Sequence, residues 1–204
     1  MSTRGADREP NERMVDRPFP PSVIYLLGAP AVGKYTVAKA IAERNGAVVV
    51  DNQLINQPIF SLLSEFPDPE ATKRMWEEIE IIRGAVLRMI EHVVPRSTSY
   101  VLTNALENAP EDHDLYEQIK GIATRRGSVF LPVILTCEIE EELRRVSDPS
   151  RTQRLKIDDP VRARAYIEAT TFYFRRDGDP LTIDTTSNDP GVTAELILAK
   201  LSDS

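Results

Sequence analysis

The run Gly28-Ala29-Pro30-Ala31-Val32-Gly33-Lys34-Tyr35-Thr36 follows directly on the apolar stretch Ser22-Val23-Ile24-Tyr25-Leu26-Leu27. No other feature constrains the chain as much. A short apolar run ending in glycine is the pattern of a strand buried on both faces of a parallel sheet. The residues after it, Thr36 to Gly46, space their apolar side chains helically and stop at Asn45-Gly46. Two glycines five positions apart, then a lysine, let the backbone amides between strand and helix turn inward as a nest for anions. The lysine can then reach the β- and γ-phosphates of a nucleotide. All nine residues from Gly28 to Thr36 are expected to line those phosphates. The competing reading is an ordinary strand-to-helix turn with an exposed lysine.

The alternation continues along the chain. Residues 47–51 read as a second strand, 54–66 as a helix in which Pro58 sets a start or a kink, and 70–94 as a long amphipathic helix. The apolar face of that long helix is expected to carry Met75, Ile79, Ile82, Val86, Met89, Ile90 and Val93. Residues 99–106 hold a third strand, 111–127 a helix, and 128–137 a fourth strand that contains Pro132. A helix over 138–146, a helical stretch from Asp159 to Phe174, a fifth strand at 181–185 and a closing helix complete the order. This is the alternation of an α/β protein with a doubly wound, parallel, five-stranded sheet in three layers. One domain over 22–204 is expected, preceded by a flexible tail at 1–21 that is rich in proline and charge and poor in aliphatic residues.

Composition narrows the function. Among 204 residues, 25 Lys and Arg stand against 32 Asp and Glu, a net charge of −7, which argues against a basic coat for duplex nucleic acid or anionic lipid. One cysteine, Cys137, excludes an intramolecular disulfide and a cysteine-rich zinc site, and His92 and His113 have no metal-ligand spacing. No run approaches the roughly 20 apolar residues of a membrane span, and no signal-peptide core is present, so a cytoplasmic protein is expected. The charge is unevenly spread. Residues 144–176 hold nine basic and four acidic side chains, so the rest of the chain is strongly acidic.

The loop departs from its usual pattern at one position. The residue after the lysine is ordinarily Ser or Thr, whose hydroxyl ligates Mg²⁺; here it is Tyr35, and the hydroxyl arrives one residue later at Thr36. That GK-x-T arrangement resembles the loop of adenylate kinases, where the metal is held largely through water. The five-strand layout and the basic connector after the fourth strand resemble the wider group of P-loop small-molecule kinases. That group includes nucleoside monophosphate, shikimate and gluconate kinases and chloramphenicol phosphotransferases. The stretches GAPAVGKYTVAKAIA, LTNAL and VILTCEIEEELRRV also resemble a bacterial branch labelled AAA-type ATPase.

The resemblance implies roles for further residues. Asp51 ends the second strand, where shikimate kinases and chloramphenicol phosphotransferases place an aspartate that orients the acceptor hydroxyl or takes its proton. An equal alternative is a helix cap, since Asp51 immediately precedes a helix. Arg151 and Arg154 lie on the connector at about 147–160, where a short mobile lid would close over the transferring phosphoryl group. The loop Thr185 to Asn188 is the implied contact for adenine. Arg83 either reaches an anionic acceptor or lies on the polar edge of its helix, and Trp76 is read as a packing residue. The third strand offers Thr103 and Asn104 where some NTPases place an aspartate, a gap that small-molecule kinases tolerate better than motor ATPases. Glu107, three residues on, is expected to face solvent.

The expected activity is transfer of the γ-phosphoryl group of ATP, with Mg²⁺, to an unidentified small-molecule acceptor. The alternative is a nucleotide-binding regulator or weak NTPase, and nothing in the sequence fixes the oligomeric state.

Overall fold

The computed structural model describes residues 19–63, 68–148, 159–173 and 180–203. Five strands, β1 (Ser22–Leu27), β2 (Val48–Asp51), β3 (Tyr100–Asn104), β4 (Val129–Thr136) and β5 (Leu181–Asp184), form one sheet in the order β2-β3-β1-β4-β5. Every pairing is parallel. Among the described residues, seven helices accompany them: α1 (Lys34–Asn45), α2 (Asn52–Phe60), α3 (Pro69–His92), α4 (Pro110–Arg126), α5 (Ile139–Val146), α6 (Pro160–Ala169) and α7 (Pro190–Ser202). This is the three-layer α/β architecture that the alternating pattern predicts.

The central strand shows why both faces must be covered. All six residues of β1 are buried. Side chains alternate across a strand, so Ile24 and Leu26 pack with α1 and α7 through Ile41, Ile197 and Leu201. Val23, Tyr25 and Leu27 pack on the other side with α3 and α4 through Leu87, Leu115 and Ile119. Fully burying each such aliphatic side chain contributes about 2 kcal/mol. Pro132 sits in β4 without penalty, because β5 begins to pair only at Val133 and leaves Pro132 opposite Tyr25 alone.

Several boundaries differ from the sequence expectation. The second helix spans Asn52–Phe60 instead of 54–66, and Pro58 lies in its last turn. The long helix starts at Pro69, where the Asp68 carboxylate accepts from the amides of Glu70 and Ala71 at 3.0 Å each. Its buried stripe runs through Met75, Ile79, Arg83, Leu87 and Ile90, whereas Met89 and Val93 are exposed. The seven-residue face read from the sequence drifts off a 3.6-residue period at its far end, which places those two outside. The helix expected from Asp159 to Phe174 ends at Ala169, and Phe172 then bridges Glu107 in an extended segment.

Of the expected tail, Phe19 packs against the core and the Pro21 carbonyl accepts from the Val129 amide at 2.9 Å. Residues 1–18 lie outside the described residues. So do Arg151, Arg154 and the rest of the expected lid between 149 and 158. No helix among the described residues is long and apolar enough to cross a membrane.

Candidate functional site

Parallel sheets bind ligands outside the carboxyl ends of their strands, where the strand order reverses. Here that point lies between β1 and β3, and a cleft of about 2080 Å³ opens there. The loop between β1 and α1 forms one wall. Gly28 and Gly33 adopt φ values of +147° and +96°, and Ala31, between them, is left-handed at +69°. Gly28 has a second constraint: a Cβ there would lie 2.3 Å from the Leu135 carbonyl oxygen of β4. Only glycine lets the end of β1 approach β4 this closely.

Lys34 opens α1 and folds back over the loop, its Nζ donating to the carbonyls of Gly28 at 2.6 Å and Ala29 at 2.7 Å. The loop is fastened from the far side by Thr185, whose hydroxyl bonds to the carbonyls of Val32 at 2.7 Å and Thr136 at 2.9 Å. Arg145 of α5 in turn grips the carbonyls of Thr185 at 2.6 Å and Thr186 at 3.3 Å. Its guanidinium lies 3.7 Å from where a Cβ on Gly33 would sit. Glu141 orients that guanidinium at 2.8 Å and is itself held down to a pKa of about 2 by its bonds to Arg144 and Arg145. The loop expected to contact adenine therefore begins with a residue that anchors the glycine-rich loop between β1 and α1.

Glu142, also on α5, is 4% exposed, and its Oε2 has no hydrogen-bond partner. Burial pushes its carboxyl up to about 7, against the opposing pull of the Lys34 and Arg145 charges. A carboxyl within the field of Lys34 has no counterpart in the sequence signals, because a lone glutamate in an acidic helix stands out from none of its neighbours.

Across the cleft, Asp51 ends β2 and is 5% exposed. Its carboxylate makes no bond to the amides of α2, which it precedes. Instead Thr103 of β3 donates to its Oδ1 at 2.6 Å, and the same hydroxyl accepts from the Asn52 amide at 3.2 Å. Thr103 thus occupies the strand-end position that the sequence left without an acid, and its hydroxyl holds the acid of the neighbouring strand. Asp51, Thr103, Lys34, Tyr35 and Thr36 all line the same cleft.

Arg83 is buried inside the stripe of α3, not at its polar edge. It is ion-paired with Glu80 and donates to Asn52 Oδ1 at 3.3 Å, while its Nε lacks a partner. Glu107 is exposed, as expected, and lines the cleft, where its carboxylate accepts from the Tyr166 hydroxyl at 2.8 Å. Trp76 is 40% exposed and meets Phe60 edge-on at 5.8 Å, both rings lining the cleft. Cys137 is half-buried and burial raises its thiol pKa, as for an inert thiol. His113 packs on Tyr173 with ring centroids 4.1 Å apart, and His92 is exposed. Among the described residues no three His, Cys, Asp or Glu side chains group as a metal site.

No protein-family model matches the chain, and no curated protein sequence matches it. Its fold is that of the P-loop small-molecule kinases. A candidate kinase from Chloroflexus aurantiacus superposes with a TM-score of 0.62 at 16% identity, covering 91% of this chain and 98% of its own. A gluconokinase from Sinorhizobium meliloti gives 0.54 at 18% identity, covering 91% and 93%. The APS kinase of Mycobacterium tuberculosis, solved with AMPPNP and APS, gives 0.53 at 18% identity, covering 91% and 99%.

Proposed function

We propose that this chain is an ATP-dependent phosphotransferase that moves the γ-phosphoryl group to a hydroxyl on a small molecule. The observation that carries the reading is the buried Asp51 carboxylate, held by Thr103 instead of by the helix it precedes, in the cleft that the phosphate-binding loop walls. A strand-end carboxylate held by the neighbouring strand, across the cleft from a glycine-rich loop and its lysine, is the pairing that phosphoryl transfer to a hydroxyl requires.

In this mechanism the loop amides around Ala31 and Gly33 hold the β- and γ-phosphates. Lys34 exchanges its bonds to the Gly28 and Ala29 carbonyls for phosphate oxygens. The acceptor oxygen attacks the γ-phosphorus and gives its proton to Asp51. The bond between the γ-phosphorus and the β–γ bridging oxygen breaks, and ADP leaves with the electron pair. Arg151 and Arg154 are proposed to neutralise the transferring group, on the sequence reading alone.

Mg²⁺, a hard cation, takes oxygen ligands. The Thr36 hydroxyl is the loop's side-chain oxygen that would suit it, and phosphate and water oxygens would complete the shell. When bound, the ion neutralises charge on the phosphates. A cytoplasmic location, with its supply of ATP and Mg²⁺, suits the reading, as does APS kinase's binding of AMPPNP within the same fold.

The test is Asp51→Asn. Transfer to a panel of hydroxyl acceptors should fall at least about a hundredfold, consistent with loss of a general base, while ATP affinity stays within about threefold. An unimpaired transfer rate would contradict the assignment. ATP binding with no transfer to any acceptor by the unaltered protein would favour a nucleotide-binding regulator.

A further inference from the structure

The cleft is electrically divided. Its described lining residues at 30–39 and 144–166 include five cations, Lys34, Lys39, Arg144, Arg145 and Arg162, against Asp148 and Asp159. Between Asp51 and Gln118 the balance reverses: seven carboxylates line the wall against Lys73 and Arg83 alone. The first half suits a nucleotide's phosphates, and the second half is the side toward which an acceptor would present its hydroxyl.

Arg83 does not correct that excess. Its charge is already taken up by Glu80, and its terminal amine by Asn52. Asp112 stands within electrostatic reach of Arg83, Glu80 and Glu107, so two further carboxylates crowd the acid that the one guanidinium reaches. Glu77, Glu111 and Asp114 add exposed negative charge at the rim. A cleft of one sign with low-dielectric walls concentrates ligands of the opposite sign and repels those of its own.

Two further observations point to the same ligand chemistry. Asn56 of α2, 4% exposed, lines this half of the cleft, and its Oδ1 has no hydrogen-bond partner. A buried acceptor oxygen left unmatched calls for an N–H or O–H donor. Trp76 meanwhile offers a ring held edge-on by Phe60, a platform on which a cation is attracted to the π-face.

We propose that the acceptor is a polyhydroxylated compound carrying ammonium or guanidinium groups, its cations against Glu77, Glu111 and Asp114 and its reactive hydroxyl toward Asp51. This assignment rests on the phosphotransferase reading and specifies its substrate class. Acceptors bearing carboxylate, phosphate or sulfate belong to the opposite class and are disfavoured by the same field.

The test is calorimetric titration of the full chain, saturated with AMPPNP and Mg²⁺, at an ionic strength of about 50 mM to limit screening. The probes are kanamycin, fully N-acetylated kanamycin, which keeps the size and hydroxyls without the charge, and gluconate. Kanamycin should bind at least about tenfold tighter than either of the others, the equivalent of about 1.4 kcal/mol. The exposed pair Glu77→Gln and Asp114→Asn should weaken it at least threefold, whereas Glu43→Gln on α1, outside the cleft, should not. Equal or tighter binding of the acetylated compound or gluconate would overturn the acceptor class. So would kanamycin binding that ignores the cleft substitutions. AMPPNP binding in the same titrations separates the two claims: its absence would contradict the phosphotransferase reading itself.

Discussion

Asp51 and Thr103 face each other in the β2–β3 register and share a hydrogen bond of 2.6 Å, donated by the threonine hydroxyl. That hydroxyl also accepts from the Asn52 amide, so its single proton is committed to the carboxylate. The bond ties the proposed base to the strand beside it and leaves the α2 amides without it.

Thr103→Val keeps the side-chain shape and removes the donor. The expected loss of stability is about 1–2 kcal/mol, the cost of an unmatched buried partner. The turnover number for phosphoryl transfer should fall about tenfold or more with ATP affinity retained, and Thr103→Ser should restore most of both. Denaturant unfolding together with steady-state kinetics checks this. Undiminished turnover in the valine variant would show that the bond does not position Asp51.

Gly28 and Gly33 should fail in different ways. A Cβ at Gly28 meets the Leu135 carbonyl oxygen at 2.3 Å, so Gly28→Ala must push β1 from β4 and should cost about 3 kcal/mol. At Gly33 the nearest atom is 3.7 Å away, and only the φ of +96° opposes a side chain. Gly33→Ala should therefore keep most of its melting temperature and lose nucleotide affinity. Parallel thermal melts and ATP titrations separate the two outcomes.

Most of the fold was legible because its signals are local. The unbroken burial of β1 is written in Val23 to Leu27, and the loop in Gly28, Gly33 and Lys34. What escaped depends on distant contacts. Arg83 reads as an interruption of an apolar stripe; its Glu80 partner lies one turn back at legible i,i+3 spacing, but Asn52, which receives its other end, is 31 residues away. The capping and site readings of Asp51 were balanced in the sequence because Thr103, which holds the carboxylate where no helix amide does, lies 52 residues away. Arg145 and Thr185 likewise meet only after β4 and β5 pair. The overrun of the second helix past Phe60 has a plainer cause: Leu62 and Leu63 continue the apolar spacing, yet Leu63 packs on the Ile55, Met75 and Ile79 cluster from beyond the helix and Leu62 is 78% exposed.

Glu142 should make stability depend on pH in an unusual direction. Its carboxyl sits at about 7 in the folded protein against an ordinary 4.5, so between those values the folded state holds a proton that the unfolded chain has lost. Raising pH through that window therefore destabilises the fold, with the full penalty present above about pH 7 and none below about 4.5. Glu142→Gln removes the term. Its melting temperature relative to the unaltered protein should be higher at pH 8 than at pH 5, and an unchanged difference across that range would contradict the assignment.

The central claim is that the loop from Gly28 to Thr36 binds nucleotide phosphates through Lys34. Calorimetry with ATP and Mg²⁺ on the unaltered protein and on Lys34→Ala tests it most directly. The loop geometry predicts measurable binding by the former and at least a hundredfold weaker binding, about 2.7 kcal/mol, by the latter. Equal affinity in the two proteins, or no binding by the unaltered one, would contradict it.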